Sequence, residues 1–210
     1  GQQPSSSSQN MQGVIDCANL LKSYYPEYPV MVVGGHCAAE PIGTLKHACI
    51  DFIAQDDGTK CLIDLLRTDL KTDLIKIKSL GYKNELGFIT LNKKQSALLD
   101  GDLDIELPDL AFDLLDLRKY RTALWHALPN NGNKKPFFSI YNSLNCPYNC
   151  SFCCIAAPFG KPGIKHWSKE KTLERLEKIS DLGIVNLKVA DELALLKQSG
   201  FLEVIDGIIE

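Results

Sequence analysis

Three cysteines share one short segment of this chain and have the spacing of a metal-binding loop. Cys146, Cys150 and Cys153 form a C-x3-C-x2-C run, directly after an apolar, strand-like stretch over residues 137–141. Three thiolates on one tight loop can bind three irons of a [4Fe–4S] cube, which leaves the fourth iron without a protein ligand. An open iron can bind a substrate or a cofactor. The spacing therefore favours a cluster that does chemistry as well as carrying electrons.

Zinc and a ferredoxin-type cluster are the alternative interpretations of this loop. A structural zinc site usually takes four ligands from two separated pairs. A ferredoxin-type cluster needs a fourth cysteine nearby and typically uses C-x2-C-x2-C runs. The adjacent Cys154 points elsewhere if the chain is extended, or is buried as a small hydrophobe. No second metal-like pair is formed by the other cysteines, which are Cys17, Cys37, Cys49 and Cys61. The spacing favours the open cluster and leaves zinc and chance as alternatives.

The composition narrows the class of protein. The chain has 210 residues and is 45% hydrophobic, enough for one large domain or two small ones. A net charge of −3 argues against a general polyanion-binding surface, so nucleic acid is a disfavoured partner. The apolar runs are shorter than a membrane span, and no signal peptide is evident. Cysteines clustered on one loop fit a reducing cytosol better than a secreted disulfide scaffold, so we expect a cytoplasmic protein.

The elements that position these residues alternate between helix and strand in the first half of the chain. Apolar residues recur at helical spacing in the first helix, with Ser8 or Asn10 as its cap and Tyr25-Pro26 at its end. The next predicted elements are strands over 29–33 and 50–54, helices over 42–48 and 59–70, and a hairpin over 78–92 with its turn at 84–87. This order predicts an α/β fold with a doubly wound sheet.

A glycine pair marks one edge of that predicted sheet. Gly34 and Gly35 follow the first strand, and ligands of such sheets bind at the carboxyl ends of the strands. Missing side chains would let a flat ligand approach the backbone there. A glycine pair also makes a tight turn without any ligand, and no G-x-G-x-x-G dinucleotide motif is present.

The second half of the chain reads as the start of a β/α barrel. A linker over 99–135, with a helical turn near 112–120, precedes a strand, the cysteine loop, a helix over 168–181 capped by Ser168, a strand over 185–190 and a further helix. Barrel active sites lie at the carboxyl ends of the strands. The cysteine loop follows the first strand, and Asp191 and Glu192 follow the second. These two acids could equally do no more than cap the strand end.

The cysteine spacing, with Phe152 just before the third cysteine, resembles the radical S-adenosylmethionine (SAM) superfamily. The resemblance implies that the open iron chelates the methionine part of SAM, and that one electron cleaves SAM to a 5′-deoxyadenosyl radical. It also implies that Asp191 or Glu192 binds the SAM ammonium and that Phe152 packs near the adenine.

The first half of the chain resembles the cobalamin-binding domain that precedes the barrel in one branch of that superfamily. The matching segments cover residues 3–10, 32–36 and 51–59, and residues 107–116 and 119–121 resemble the connector to the barrel. By this resemblance Ser5, Ser6, Ser8, Gly34 and Gly35 line the cobalamin pocket. Residues 56–59 read Asp-Asp-Gly-Thr where the family usually has Gly-Glu-Gly-Glu, which is a departure.

Together these resemblances predict a partial doubly wound, Rossmann-like cobalamin-binding domain over 1–98, a linker over 99–135, and the first βα units of a radical SAM β/α partial barrel over 136–210. They imply an enzyme that transfers a methyl group to an unactivated carbon or phosphinate, or assists a rearrangement, of a small-molecule substrate. The cofactors would be a [4Fe–4S] cluster, SAM and cobalamin, with flavodoxin or ferredoxin as electron donor.

We also expect the chain to be a fragment that is inactive alone, because only about two of the eight βα units of a full barrel are present. Two alternatives to an enzyme stay open at this point. One is a non-catalytic iron–sulfur or cobalamin-binding module, and the other is a zinc-stabilised interaction domain.

Overall fold

The structure is a computed structural model that describes residues 7–95, 102–107, 109–116, 137–153, 155, 157–184, 186–196 and 198–209. The helices are α1 (Ser7–Tyr24), α2 (Gly35–Ala39), α3 (Pro41–Leu45), α4 (Thr59–Leu66), α5 (Leu103–Glu106), α6 (Lys169–Asp181) and α7 (Gln198–Ile209). The strands are β1 (Met31–Val32), β2 (Phe52–Ala54), β3 (Leu80–Lys83), β4 (Ile89–Leu91), β5 (Phe137–Ile140), β6 (Ser143–Leu144), β7 (Lys165–His166) and β8 (Asn186–Val189). Two 3₁₀ helices cover Leu74–Lys76 and Phe112–Leu114.

The chain divides into two compact units. The first contains Gly1–Gly101 and Pro147–Gly163, and the second contains Asp102–Cys146 and Ile164–Glu210. The chain therefore passes from the second unit into the first directly after Cys146.

The first unit is built on a four-stranded sheet in the order β1-β2-β3-β4. β1 and β2 are parallel, with Met31 opposite Phe52, whereas β2–β3 and β3–β4 are antiparallel. The antiparallel pair β3–β4 is the predicted hairpin. Its turn is closed by the Asn84 side chain, whose Oδ1 accepts hydrogen bonds from the backbone amides of Leu86 and Phe88. The predicted α/β class is confirmed.

Hydrophobic clusters cover both faces of this sheet. Because successive side chains of a strand point to opposite faces, Phe52 and Ala54 pack on one side and Ile53 on the other. Phe52 and Ala54 belong to a cluster that includes residues of α4, namely Cys61 and Leu65. Ile53 belongs to a cluster with residues from the other three helices, namely Ala18 of α1, Cys37 of α2 and Leu45 of α3. Helices on both faces give the doubly wound arrangement.

Several predicted boundaries in this unit are wrong. The helix predicted over 42–48 is α3, which begins at Pro41, a residue that fits the first turn of a helix, and ends at Leu45. The short helix α2 before it was not predicted, and Glu40 between the two helices has non-helical torsion angles. The helix predicted to reach residue 70 ends at Leu66, and Leu70 has a positive φ of 64°. The first helix begins at Ser7, so Ser8 and Asn10 lie inside it and do not cap it.

The second unit pairs its two longer strands in parallel, with Phe137 of β5 opposite Asn186 of β8. β6 and β7 form a short antiparallel pair. The elements predicted over 137–141, 168–181 and 185–190 are confirmed to within one residue at each end. Ser168 is confirmed as the cap of α6, since its side chain accepts a hydrogen bond from the Lys171 amide at 3.0 Å. The core of this unit is formed by Phe112, Ile140, Ile179 and Ile184.

The segment before β5 is attached to α6 through polar contacts. Asp109 accepts from Lys178 Nζ at 2.8 Å and pairs with Arg175 Nε at 3.4 Å. The Arg175 guanidinium also lies 4.6 Å from the ring centre of Trp167, which donates to the carbonyl of Leu107 at 3.0 Å. The helical turn predicted near 112–120 is the 3₁₀ helix Phe112–Leu114, and 117–120 lie outside the described residues.

Candidate functional site

The carboxyl ends of β5 and β8 meet at one edge of the second unit. The strands are parallel and in register, and the Ala190 amide donates to the Ile140 carbonyl at 2.7 Å just beyond the last paired residues. The residues that follow each strand therefore lie side by side. Tyr141 and Asn142 follow β5, and Asp191 and Glu192 follow β8. This is the edge at which a β/α barrel places its chemistry.

Asp191 is fixed by the turn that follows β5. Its Oδ1 accepts from the backbone amide of Asn142 at 2.6 Å, and its Oδ2 accepts from the hydroxyl of Ser143 at 2.7 Å. Both carboxylate oxygens are thus engaged, although each oxygen retains capacity for a further hydrogen bond. Glu192 is exposed beside it. Of the two acids, Glu192 is therefore the more available for a ligand.

Sequence reasoning missed the residues that support this edge. Asn142 accepts a hydrogen bond through its side-chain oxygen from Thr172 of α6 at 2.7 Å. Arg175 of α6 donates to the Tyr141 carbonyl at 3.1 Å. Thr172 and Arg175 are both buried, which is unusual for an arginine and marks it as structural. The roles of Thr172 and Arg175 could not be predicted from the sequence, because their partners lie on a turn that is distant along the chain.

Tyr141 is influenced by the same acids. Burial raises the pKa of its phenol, and the negative charges of Glu192 and Asp191 raise it further. The phenol therefore stays protonated near neutral pH. A neutral hydroxyl close to two carboxylates can donate a hydrogen bond to them or to a bound ligand.

A tight turn leads into the cysteine loop in the second unit. Asn145 is buried and has a positive φ of 66°, a conformation that asparagine tolerates better than most residues. Cys146 follows and is half-buried. β6 and β7, which pair Ser143 with His166 and Leu144 with Lys165, close the base of the loop. This short pair was not predicted, since two-residue strands have too little periodicity to detect.

Cys150 and Cys153 lie in the first unit and are both exposed. The Cys153 amide donates to the Cys150 carbonyl at 3.1 Å, which turns the chain between them. Phe152 is 91% exposed, so it contributes nothing to a core. Among the described residues, no group of three or more His, Cys, Asp or Glu side chains is arranged to bind a metal. Cys154 lies outside the described residues.

The thiols nonetheless have the right chemistry for an iron–sulfur cluster. All three are free of disulfides, and iron–sulfur clusters are bound by cysteine thiolates. Binding of metal ions commonly organises a loop whose ligands are apart without metal. The donor set therefore fits a cluster by ligand type and spacing.

Gly34 and Gly35 lie at the carboxyl end of β1, as predicted. Gly34 has a φ of 115°, which favours glycine, and a Cβ built on it would meet no atom within 4 Å. Among the described residues, the space at the Cβ position of Gly34 is therefore open. Gly35 begins α2, so the pair makes a strand-to-helix turn.

Gly58 is a further glycine at this edge that the sequence did not single out. Its φ is 94°, and a Cβ on it would lie 2.7 Å from Val33 Cγ1. The Asp-Asp-Gly-Thr departure thus makes a local turn: Asp56 Oδ1 accepts from the Gly58 amide at 2.9 Å, and Asp57 Oδ1 accepts from the Thr59 amide at 3.0 Å. Burial raises the pKa of both carboxyls.

The three serines predicted to line the cobalamin pocket fall near the start of the chain. Ser5 and Ser6 lie outside the described residues, and Ser8 lies in the first turn of α1. Their role at a cobalamin pocket stays a prediction. Within the described part of the chain, every helix is too short or too polar to cross a membrane.

Two curated proteins of known sequence are similar to this chain. An uncharacterized methyltransferase from Pyrococcus horikoshii is 27% identical over 192 residues, which is 89% of this chain and 38% of that protein. The hopanoid C-3 methylase of Methylococcus capsulatus is 28% identical over 204 residues, which is 95% of this chain and 35% of that protein. The chain thus spans a little over a third of the length of these relatives. No family model matches the chain.

Solved structures that share this fold include radical SAM proteins. TsrM from Kitasatospora setae, a radical SAM methyltransferase, has a TM-score of 0.65 and 16% identity over 95% of this chain and 36% of its own. OxsB, a cobalamin-dependent radical SAM enzyme, has a TM-score of 0.70 and 18% identity over 96% of this chain and 27% of its own. TsrM has been solved with cobalamin and a [4Fe–4S] cluster bound, and OxsB with aqua-cobalamin and SAM. At these identities the likeness establishes the fold.

Proposed function

We propose that this chain is part of a cobalamin-dependent radical SAM enzyme, and that it binds a [4Fe–4S] cluster through Cys146, Cys150 and Cys153. The observation that carries the proposal is the placement of the C-x3-C-x2-C run directly after β5 and β6, in a fold shared with TsrM and OxsB. When bound, the cluster would supply the electron for reductive cleavage of SAM. The protein contributes binding, orientation and exclusion of water.

The loop supports this role through the state of its thiols. Cys150 and Cys153 are exposed and form no disulfide, so both are available to iron. Three cysteine ligands leave one iron open, and SAM is the ligand we assign to it. Of the four described cysteines outside the loop, Cys37, Cys49 and Cys61 are buried in the first unit, and Cys17 is exposed.

The edge formed by β5 and β8 would bind the amino group of SAM. A cationic ammonium is stabilised by nearby carboxylates, and Asp191 and Glu192 supply two. Because Asp191 already holds Asn142 and Ser143, we assign the main contact to Glu192 and an orienting role to Asp191. Phe152, with its exposed ring, would cover the adenine.

Cobalamin would bind at the edge of the first sheet, beside Gly34 and Gly35. The open space at Gly34 allows a flat macrocycle to approach the backbone, and Ser5, Ser6 and Ser8 would line the same pocket. The relatives that are named methyltransferase and methylase support methyl transfer as the reaction, here to an unactivated carbon or phosphinate of a small molecule. A flavodoxin or ferredoxin in the cytoplasm would supply the electron.

Anaerobic reconstitution followed by iron and sulfide analysis tests the cluster. We expect about four irons per chain with matching sulfide, as a cubane cluster requires. Cys150→Ala and Cys153→Ala should lose most of this iron. Cys17→Ala, which removes an exposed thiol outside the loop, is the matched control and should retain it. Stoichiometric zinc without sulfide would overturn the proposal in favour of a zinc-stabilised domain.

A further inference from the structure

Lys94 contacts the cysteine loop after its last predicted ligand. Its Nζ donates a hydrogen bond to the backbone carbonyl of Ala157, 63 residues further along the chain. The side-chain stem of Lys94 also lies next to Gly160 of the same segment, since the Cβ position of Gly160 is 3.5 Å from Lys94 Cε. Gly160 has a φ of 73°, so a side chain there would be strained as well as close to the lysine. Both the charge and the stem of Lys94 therefore support this backbone.

Asp56 is a buried carboxyl group whose charge interacts with that of Lys94. Asp56 is 1% exposed, and its Oδ1 is fixed by the Gly58 amide at 2.9 Å. Its Oδ2 has no hydrogen-bond partner among the described residues. Burial raises the pKa of Asp56, and the charge of Lys94 acts in the opposite direction; burial likewise lowers the pKa of Lys94, and the charge of Asp56 opposes that. Each group thus stabilises the ionised form of the other.

Lys94 and Asp56 lie at the sheet edge to which we assign cobalamin binding. β1, β2 and β4 run in the same direction, because β2 and β4 are each antiparallel to β3. Their carboxyl ends therefore lie at one edge, where Gly34, Asp56 and Lys94 follow them in turn. The Ala157 carbonyl is bound at the same edge that we assign to cobalamin.

We propose that Lys94 is a positioning residue for the cysteine loop: its ammonium holds the Ala157 carbonyl and thereby fixes the segment after Cys153 at the sheet edge where Gly34 lies. The importance of this contact for catalysis rests on the proposed function. The contact between Lys94 and Ala157 is independent of the proposed function, because it involves no cofactor. Lys94 touches no reacting atom in this account and acts only through the loop.

Hydrogen exchange of the cluster-free chain tests the contact without any cofactor. Lys94→Met removes the charge and keeps the stem, and we expect the amides of Ala157, Phe159, Gly160 and Lys161 to exchange about tenfold faster, as for loss of one charge-assisted hydrogen bond. Lys93→Met is the matched control, because Lys93 is the exposed neighbour with the same charge. Lys94→Arg retains a cationic donor and should keep most of the protection. Reconstituted Lys94→Met should also lose iron to a chelator faster than the parent chain.

The outcomes separate this proposal from the proposed function. Exchange that is unchanged in Lys94→Met, or that rises equally in Lys93→Met, would overturn it. Exchange that rises throughout β2 and β3 would also contradict it, because Lys94 would then support the whole unit and not the loop. If no variant assembles a cluster while the loop exchange follows the expected pattern, the proposed function fails and the role of Lys94 stands.

Discussion

Ser143 donates its hydroxyl hydrogen to the Asp191 carboxylate at 2.7 Å. Ser143 begins β6 and Asp191 follows β8, so this bond joins the two strand ends of the second unit just before the cysteine loop begins. The carboxylate also accepts from the Asn142 amide. Asp191, which its position in the sequence predicts to be a ligand-binding residue, therefore also stabilises the turn that follows β5.

Substitutions of Asp191 and Glu192 should affect different properties, namely stability and SAM binding. Asp191→Ala removes both hydrogen bonds and should lower the free energy of unfolding by about 2–4 kcal/mol, as expected for two bonds to a charged acceptor. Glu192→Ala, at an exposed position, should change stability little and weaken SAM binding instead. Urea unfolding and SAM titration of the reconstituted protein measure the two effects. Equal stability losses in both variants would contradict this division.

The ion pairs between Asp109 and α6 should contribute more to stability than the exposed ion pairs of Glu174 on the same helix. Burial opposes ionisation of Asp109, but hydrogen bonds from Lys178 and the Leu110 amide hold its pKa below the usual range. Asp109→Asn should cost about 2 kcal/mol, the size of one hydrogen bond between charged groups. Glu174→Gln, which alters only exposed pairs with Lys171 and Lys178, is the control and should change stability little.

The pH dependence of this pair follows from the direction of the shift. Because the folded-state pKa of Asp109 is lowered, its contribution is complete above the unfolded pKa near 3.8 and is lost as pH falls through the folded value. The stability difference between the parent chain and Asp109→Asn should therefore shrink only in acid, below that pH. A difference that vanished near neutral pH would contradict the assignment.

Gly58 should tolerate substitution worse than another glycine with positive φ. Gly58→Ala combines backbone strain with a Cβ placed 2.7 Å from Val33 Cγ1, and should cost about 2–4 kcal/mol. Gly87→Ala has a similar φ of 81° but nothing within 4 Å, so it should show the strain alone, about 1 kcal/mol. Comparison of their urea unfolding midpoints isolates the packing cost. Equal losses would mean that the contact with Val33 relaxes.

The cysteines should divide by reactivity in the cluster-free chain. Burial raises the pKa of Cys37 to about 11 and that of Cys61 to about 12, so both stay protonated and enclosed at neutral pH. Cys150 and Cys153 are exposed and should be alkylated much faster, and cluster assembly should protect them. Mass spectrometry after brief alkylation reads each site. Protection of Cys37 but not of Cys153 on adding iron and sulfide would contradict the ligand assignment.

The sequence predicted the elements whose patterns are local. The hairpin, the strands before the cysteine loop and before Asp191, and the Ser168 cap all follow from periodicity, turn residues and capping chemistry. The predicted order of strands and helices also placed Gly34, the cysteine loop and Asp191 after the carboxyl ends of strands. The predicted division at 1–98, 99–135 and 136–210 stays a prediction, although residues 102–116, where described, pack in the second unit.

Long-range polar contacts were beyond the reach of sequence reasoning. The bond from Lys94 to Ala157 joins residues 63 apart, and Arg175 lies 66 residues from Asp109. Neither pair has a spacing that a helix or strand period would reveal. The split of residues 35–45 into two helices depended on the conformation of Glu40, which propensity alone does not fix.

Electron paramagnetic resonance of the reduced, reconstituted protein, recorded with and without SAM, tests the central claim most directly. We expect a signal from a reduced [4Fe–4S] cluster that shifts when SAM is added, and that is absent from Cys150→Ala. A shift would mean that SAM binds at the iron without a cysteine ligand. A cluster signal indifferent to SAM would contradict the account and identify the loop as an electron-carrying or structural site.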